Sequence, residues 1–184
     1  MGKVDTILAE SIKKFDSLFG VSIQKPRIKI LKSRAEINKL WGKETDSWIV
    51  GWHKENTIYI LDENKFEKES SHSKSDFNKT LIHELLHQYY KEIVGRDKPA
   101  WLNEGFCLYF AEQEKEEPSE EEKNRLDYYF DHWDKNGYKM AYFWVKRLRD
   151  KVGQKNFIAF LKKLKIERNL KDFKKHFSEL FYKL

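Results

Sequence analysis

Two short runs concentrate the chemistry-bearing residues of this chain: His83-Glu84-Leu85-Leu86-His87 and Trp101-Leu102-Asn103-Glu104-Gly105. A helix rises about 1.5 Å per residue and turns every ~3.6 residues, so His83 and His87 fall one turn apart on one face. Neutral imidazoles at that spacing reach a single zinc ion. Glu84 is rotated about 100° from His83 and flanks the ion instead of binding it. A general base for an activated water belongs there. Leu81, Ile82, Leu85, Leu86 and Tyr89 form the apolar remainder, which buries the helix while its histidine edge faces a cleft.

Glu104 follows His87 by 17 positions. That length lets Gln88 to Ile93 finish the helix, lets residues 95–99 turn the chain, and lets a second helix start near Ala100. Gly95 suits a helix C-cap and Pro99 a helix start. The reversal returns Glu104 to the metal held by His83 and His87. Three protein ligands leave a fourth position for water, as in catalytic zinc sites; structural sites take four protein ligands and more cysteine. A glutamate is more commonly an exposed helix residue. Against that, Trp101, Leu102, Phe106, Leu108 and Phe110 surround this one, and a carboxylate among apolar residues needs a partner.

His83-Glu84-Leu85-Leu86-His87-Gln88 and Trp101-Leu102-Asn103-Glu104-Gly105-Phe106 resemble the active-site motifs of gluzincin zinc metallopeptidases. The second run is particularly similar to that of the M1 aminopeptidases and the wider peptidase MA-like group, although the spacer is about two residues shorter. The resemblance implies that His83, His87 and Glu104 are zinc ligands and that Glu84 is the catalytic base. It extends to Tyr138-Lys139-Met140-Ala141, similar to the family segment whose tyrosine hydrogen-bonds the oxyanion, with Ala141 where the family has glycine. A phenol donor suits developing negative charge; Tyr142 is the alternative. The match covers about residues 77 to 148. The Gly-x-Met-Glu-Asn segment with which M1 enzymes hold a substrate amino terminus has no counterpart between Trp48 and Phe77, so an endopeptidase is the safer expectation.

Around these motifs the sequence predicts an α+β fold, a single domain over residues 1–184. Its N-terminal lobe, about 1–97, is mixed α/β and its C-terminal lobe, about 98–184, is all helical. That layout suits a thermolysin-like gluzincin domain with the zinc site in the cleft between lobes. Val4, Ile7, Leu8, Ile12, Phe15 and Leu18 predict a helix over 3–19, ended by Gly20. Arg27 to Leu31 reads as a strand. Ser33 caps a helix to about Leu40, with Glu36 completing a capping box. Trp48–Trp52 and Thr57–Leu61 read as strands joined through residues 53–56. The resemblance implies that an edge strand pairs with extended substrate. Ile58, Tyr59 and Ile60 fit that role, as would any core strand. Residues 63–75 read as a flexible loop or frayed helix, and the motif helix starts near Asp76. Further helices are expected at about 119–134, 137–152, 154–165 and 171–182.

Of 184 residues, 40% are hydrophobic and 36% charged, enough for a core beneath a polar surface. No run of about 18 apolar residues marks a membrane span, and Lys13 and Lys14 interrupt the first apolar pattern, so no signal peptide is read. If the chain is complete, a cytoplasmic monomer is expected; an export segment removed beforehand would leave no trace. Net charge is +6, with 14 Lys or Arg against 4 Asp or Glu over residues 139–184 and seven Glu over 112–122. The basic residues alternate with apolar ones at helical spacing, reading as wet helix faces more than as a nucleic-acid surface. The single cysteine, Cys107, excludes an intrachain disulfide and reads as a buried small hydrophobe. His53, His72, His132 and His176 read as surface histidines.

The expected function is therefore zinc-dependent hydrolysis of a peptide or protein substrate, with Glu84 as base and Tyr138 as oxyanion donor. Asn103 positions Glu104, contacts substrate or merely ends a helix. The rival readings are a silent or latent zinc-binding interaction module and, behind it, a basic nucleic-acid-binding protein.

Overall fold

A computed structural model describes residues 2–124, 128 and 137–165. It is a mixed fold of helices and a small three-stranded sheet, as the α+β expectation requires. The chain divides into two compact units at Gln88 and Tyr89, inside one continuous helix. No helix among the described residues is long and apolar enough to cross a membrane.

The first unit begins with α1, Lys3–Phe19, which buries Leu8, Ser11, Phe15 and Phe19 on one stripe and ends at Gly20 in the left-handed region, φ 61°. The glycine is required because a Cβ makes that backbone costly. Strand β1 spans Arg27–Leu31, and helix α2 spans Arg34–Trp41. The Ser33 side chain accepts from the Glu36 N–H, as expected of an N-cap. The Glu36 carboxylate accepts not from Ser33 but from the Lys32 N–H at 2.8 Å, so the box closes one residue early.

Strands β2, Gly51–Lys54, and β3, Thr57–Leu61, complete the sheet in the order β1-β3-β2. β1 runs parallel to β3 and β2 antiparallel, with Trp52 opposite Tyr59 and Lys29 opposite Tyr59. Two sequence expectations change here. Thr57–Leu61 is the central strand, not an edge; β2 is the edge on that side. The strand expected from Trp48 also begins three residues later, at Gly51. Arg34 holds the backbone ahead of it. Its guanidinium donates to the Asp46 oxygen at 3.3 Å, the Ser47 oxygen at 3.0 Å and the Ile49 oxygen.

Alternation gives the sheet two unlike faces. Ile58 and Ile60 are fully buried on one. On the other, Trp52 stacks on Tyr59 at 4.9 Å, Trp41 meets Trp52 edge-on at 5.7 Å, and the Lys29 ammonium lies 5.6 Å over the Tyr59 ring. Of the segment expected to be a flexible loop or a frayed helix, two short helical turns are present. Glu63–Lys65 forms one 3-10 turn and α3, Phe66–Glu69, follows. Phe66 is fully buried and meets Phe77 edge-on at 5.3 Å. Arg34 binds this segment too: its Nε and Nη2 donate to the Glu69 carbonyl at 3.1 and 2.9 Å, and its own N–H donates to the Glu69 carboxylate at 2.7 Å.

Helix α4, Asp76–Val94, carries the first motif and ends at Gly95, φ 76°, whose N–H returns to the Lys91 carbonyl at 2.7 Å. In the second unit, α5 spans Ala100–Phe110, α6 Glu120–Lys123, α7 Gly137–Val152 and α8 Gln154–Leu164. Both expected helices over 137–165 are present. Of the one expected at 119–134, Glu120–Lys123 is described, with a full capping box between Ser119 and Glu122. The helix expected at 171–182 lies outside the described residues, as do His132 and His176.

Replacing Arg34 strands several half-buried carbonyls at once, each costly to leave without a donor. Arg34→Met is expected to lower unfolding stability by about 2–4 kcal/mol, read as a fall in the urea midpoint with the slope unchanged.

Candidate metal centre

The motif helix is fixed at its start by a reciprocal clasp. The Ser73 N–H and hydroxyl both donate to the Asp76 carboxylate at 2.8 Å, and the Asp76 N–H returns to the Ser73 carbonyl at 3.1 Å. Burial works against the charge on Asp76, but these hydrogen bonds outweigh it and hold its carboxyl below the ordinary value of 3.8. Of the residues expected to bury this helix, Leu81, Leu85, Leu86 and Tyr89 are fully buried and Ile82 is half-buried; Tyr90 is fully buried as well.

His83 and His87 lie one turn apart with ring centroids 4.9 Å apart and planes at 78°. His83 and Glu84 are buried, at 8% and 7% exposure, and His87 is half-buried. A Glu84 carboxylate oxygen lies 3.9 Å from His87 Nε2, beyond hydrogen-bond reach but on the same edge of the helix. Edge strand β2 passes beside this edge: a Cβ added at Gly51 would lie 3.4 Å from Glu84 Cγ, 3.4 Å from Thr80 Cγ2 and 3.2 Å from the Tyr59 carbonyl oxygen. Glycine at 51 thus lets the strand approach the Glu84 side chain.

Helix α5 is buried at Trp101, Leu102, Asn103, Phe106, Cys107, Leu108 and Phe110. Glu104 is half-buried. Gly105 is the point of closest approach to α7, where a Cβ would stand 2.3 Å from the Ala141 carbonyl oxygen and 2.7 Å from Val145 Cγ2. The glycine of the second motif is therefore a packing requirement. Of the roles open to Asn103, the hydrogen bonds favour bracing the helix start. Its amide donates to the Asp97 carbonyl at 3.2 Å, and its N–H donates to the Pro99 carbonyl at 3.2 Å.

The Cys107 thiol donates to Asn103 Oδ1 at 3.6 Å. The two imidazoles of α4 are nitrogen donors of the kind zinc prefers. Cys107, expected to be a small buried hydrophobe, is buried, at 0% exposure.

On α7, Tyr138 is half-buried and Tyr142 is buried. Burial, aided by the nearby Glu114 carboxylate, pushes the Tyr142 phenol up and keeps it a proton donor. Two histidines read as surface residues are of intermediate exposure. His72 is half-buried, with its Nε2 2.9 Å from the Trp48 carbonyl. His53, on β2, is half-buried too. Comparison with protein-family models, curated proteins and solved structures finds no match to this chain.

Gly105→Ala is expected to cost about 2–4 kcal/mol, because backbone and a β-branched side chain must both give way; a thermal scan reads it. The Asp76 clasp has a pH signature. A depressed folded-state pKa adds stability that is full above 3.8 and is lost as pH falls through the lower folded value. The stability gap between wild type and Asp76→Asn should be constant near neutrality and shrink below that point in acid-titrated urea melts.

Proposed function

We propose that this chain is a zinc-dependent peptidase of the gluzincin kind, acting as an endopeptidase on peptide or protein substrates. The observation that carries the reading is the buried edge of α4 on which two imidazoles, one turn apart, stand beside the Glu84 carboxylate. The ligand set proposed is His83, His87 and Glu104. A thermolysin-like arrangement of a mixed lobe and a helical lobe belongs to the same proposal.

Zinc bound there supplies Lewis acidity, polarising a scissile carbonyl and making a water acidic near neutral pH. Glu84 takes the proton from the attacking water and passes it to the leaving amine. Tyr138 donates to the oxyanion, with Tyr142 as the alternative donor on the next turn of α7. The free edge of β2, beside Glu84, offers main-chain groups to an extended peptide, so the substrate-pairing role moves from Thr57–Leu61 to Gly51–Lys54.

A zinc-binding interaction module without hydrolysis would share the histidines but would have no use for Glu84. Glu84→Gln decides between the two. It should retain the wild-type zinc content by elemental analysis and lose about 10²–10⁴-fold in peptide-library cleavage, whereas His83→Ala and His87→Ala should lose both. Full cleavage by Glu84→Gln would overturn the mechanism, and a metal-free wild type would overturn the zinc reading.

A further inference from the structure

The register of the sheet sets two rows of side chains on the face opposite Ile58 and Ile60. Lys29, Tyr59 and Trp52 stand opposite one another on β1, β3 and β2, and Arg27, Thr57 and Lys54 form the next row. On each strand the two members are two positions apart, so both rows share a face. The first row is a stack: Trp52 lies on Tyr59 at 4.9 Å, and the Lys29 ammonium lies 5.6 Å over the Tyr59 ring. Arg27, Lys29 and Lys54 are exposed, and no carboxylate stands in either row. Among the described residues, none of these three cations forms an ion pair. We propose that this face, with the β2 edge, selects an extended peptide that carries an aromatic side chain and, two positions from it, a carboxylate. Such selection rests on the pairing of substrate with β2 proposed above and not on hydrolysis.

The edge supplies the main-chain half of the recognition. The Leu61 N–H donates to the Val50 carbonyl at 2.8 Å, and an antiparallel ladder alternates from there. Trp52 and Lys54 therefore turn their main-chain groups toward β3, and Gly51 turns its N–H and carbonyl away from the sheet. A strand added at that edge lengthens each row by one residue. One of its side chains falls beside Trp52, and another, two positions along, falls beside Lys54. The residue opposite Gly51 is the immediate neighbour of the one beside Trp52. Its side chain turns to the other face, where a Cβ at Gly51 would lie 3.4 Å from Glu84 Cγ. The selected side chains thus flank the stretch of peptide that passes the proposed base.

Each row asks for one kind of side chain. An aromatic ring beside Trp52 continues the row of rings and takes apolar surface out of water. A carboxylate beside Lys54 gains a charge-assisted hydrogen bond in the field of Arg27 and Lys29, whereas a lysine or arginine there meets like charge. A single-stranded nucleic acid is the poorer match. Tyr59 lies between Trp52 and Lys29 and presents no open ring face on which a base could stack.

Fluorescence anisotropy of short labelled peptides on the full Glu84→Gln chain reads binding without cleavage. Thr- and Ser-based peptides containing Phe-Thr-Glu, or the reverse order Glu-Thr-Phe, are compared with counterparts in which Ala replaces Phe or Lys replaces Glu. The better of the two orders should bind at least about tenfold more tightly than its counterparts, and added salt should weaken it. Trp52→Thr should erase the discrimination between Phe and Ala. Lys54→Glu should reverse the preference between Glu and Lys, a gain that no folding defect produces. Equal binding of all the peptides, binding of none, or a preference that Lys54→Glu leaves unchanged would overturn the inference. Tighter binding of a short single-stranded oligothymidylate than of any peptide would overturn the choice of ligand. Cleavage of a peptide library by the wild-type chain tests the peptidase reading separately. Cleavage without selective binding removes the selection alone, and selective binding without cleavage removes the peptidase alone.

Discussion

At Gly105 the backbone of α5 approaches α7 so closely that any side chain would stand 2.3 Å from the Ala141 carbonyl oxygen. Small residues at both positions permit this contact, and the rest of the second unit is arranged about it. Backbone groups that meet directly leave little freedom to slide or rotate, because interiors are packed at crystal-like density. The residues beside the contact inherit that rigidity. Glu104 precedes Gly105, and on the facing helix Tyr138 and Tyr142 bracket Ala141. Every donor proposed for the second motif therefore sits within one turn of one tight contact.

The first unit solves a different problem, how to hold a buried polar edge. His83 and Glu84 are almost wholly out of water. Burying imidazole and carboxylate costs several kcal/mol unless their polar atoms are engaged. Strand β2 comes against the same edge through a residue with no side chain.

Arg34 shows how a single cation organises backbone that forms no ladder. Its guanidinium and N–H engage groups at Thr45, Asp46, Ser47, Ile49 and Glu69. A guanidinium has five donors in a fixed fork and so satisfies several carbonyls at once, which a lysine does not. The strand that begins at Gly51 and the short helix α3 both take their positions from it.

The sequence by itself determined what depends on neighbours within a turn or two. The helices over 3–19, 76–94, 100–110 and 137–164, the caps at Gly20, Ser33 and Gly95, and the alignment of His83 with His87 all follow from local periodicity and backbone sterics. Tertiary structure decided what depends on groups far apart in the chain. Thr57–Leu61 became the central strand because β1 and β2 pair on either side of it. Ahead of Gly51 the Val50 carbonyl still accepts from the Leu61 N–H, but the Ile49 carbonyl is taken by Arg34, which lies 15 residues earlier. Gly105 became a packing contact because folding brings α5 against Ala141 and Val145 of α7. Periodicity reports which face of an element is buried; it carries no information on which distant side chain meets that face.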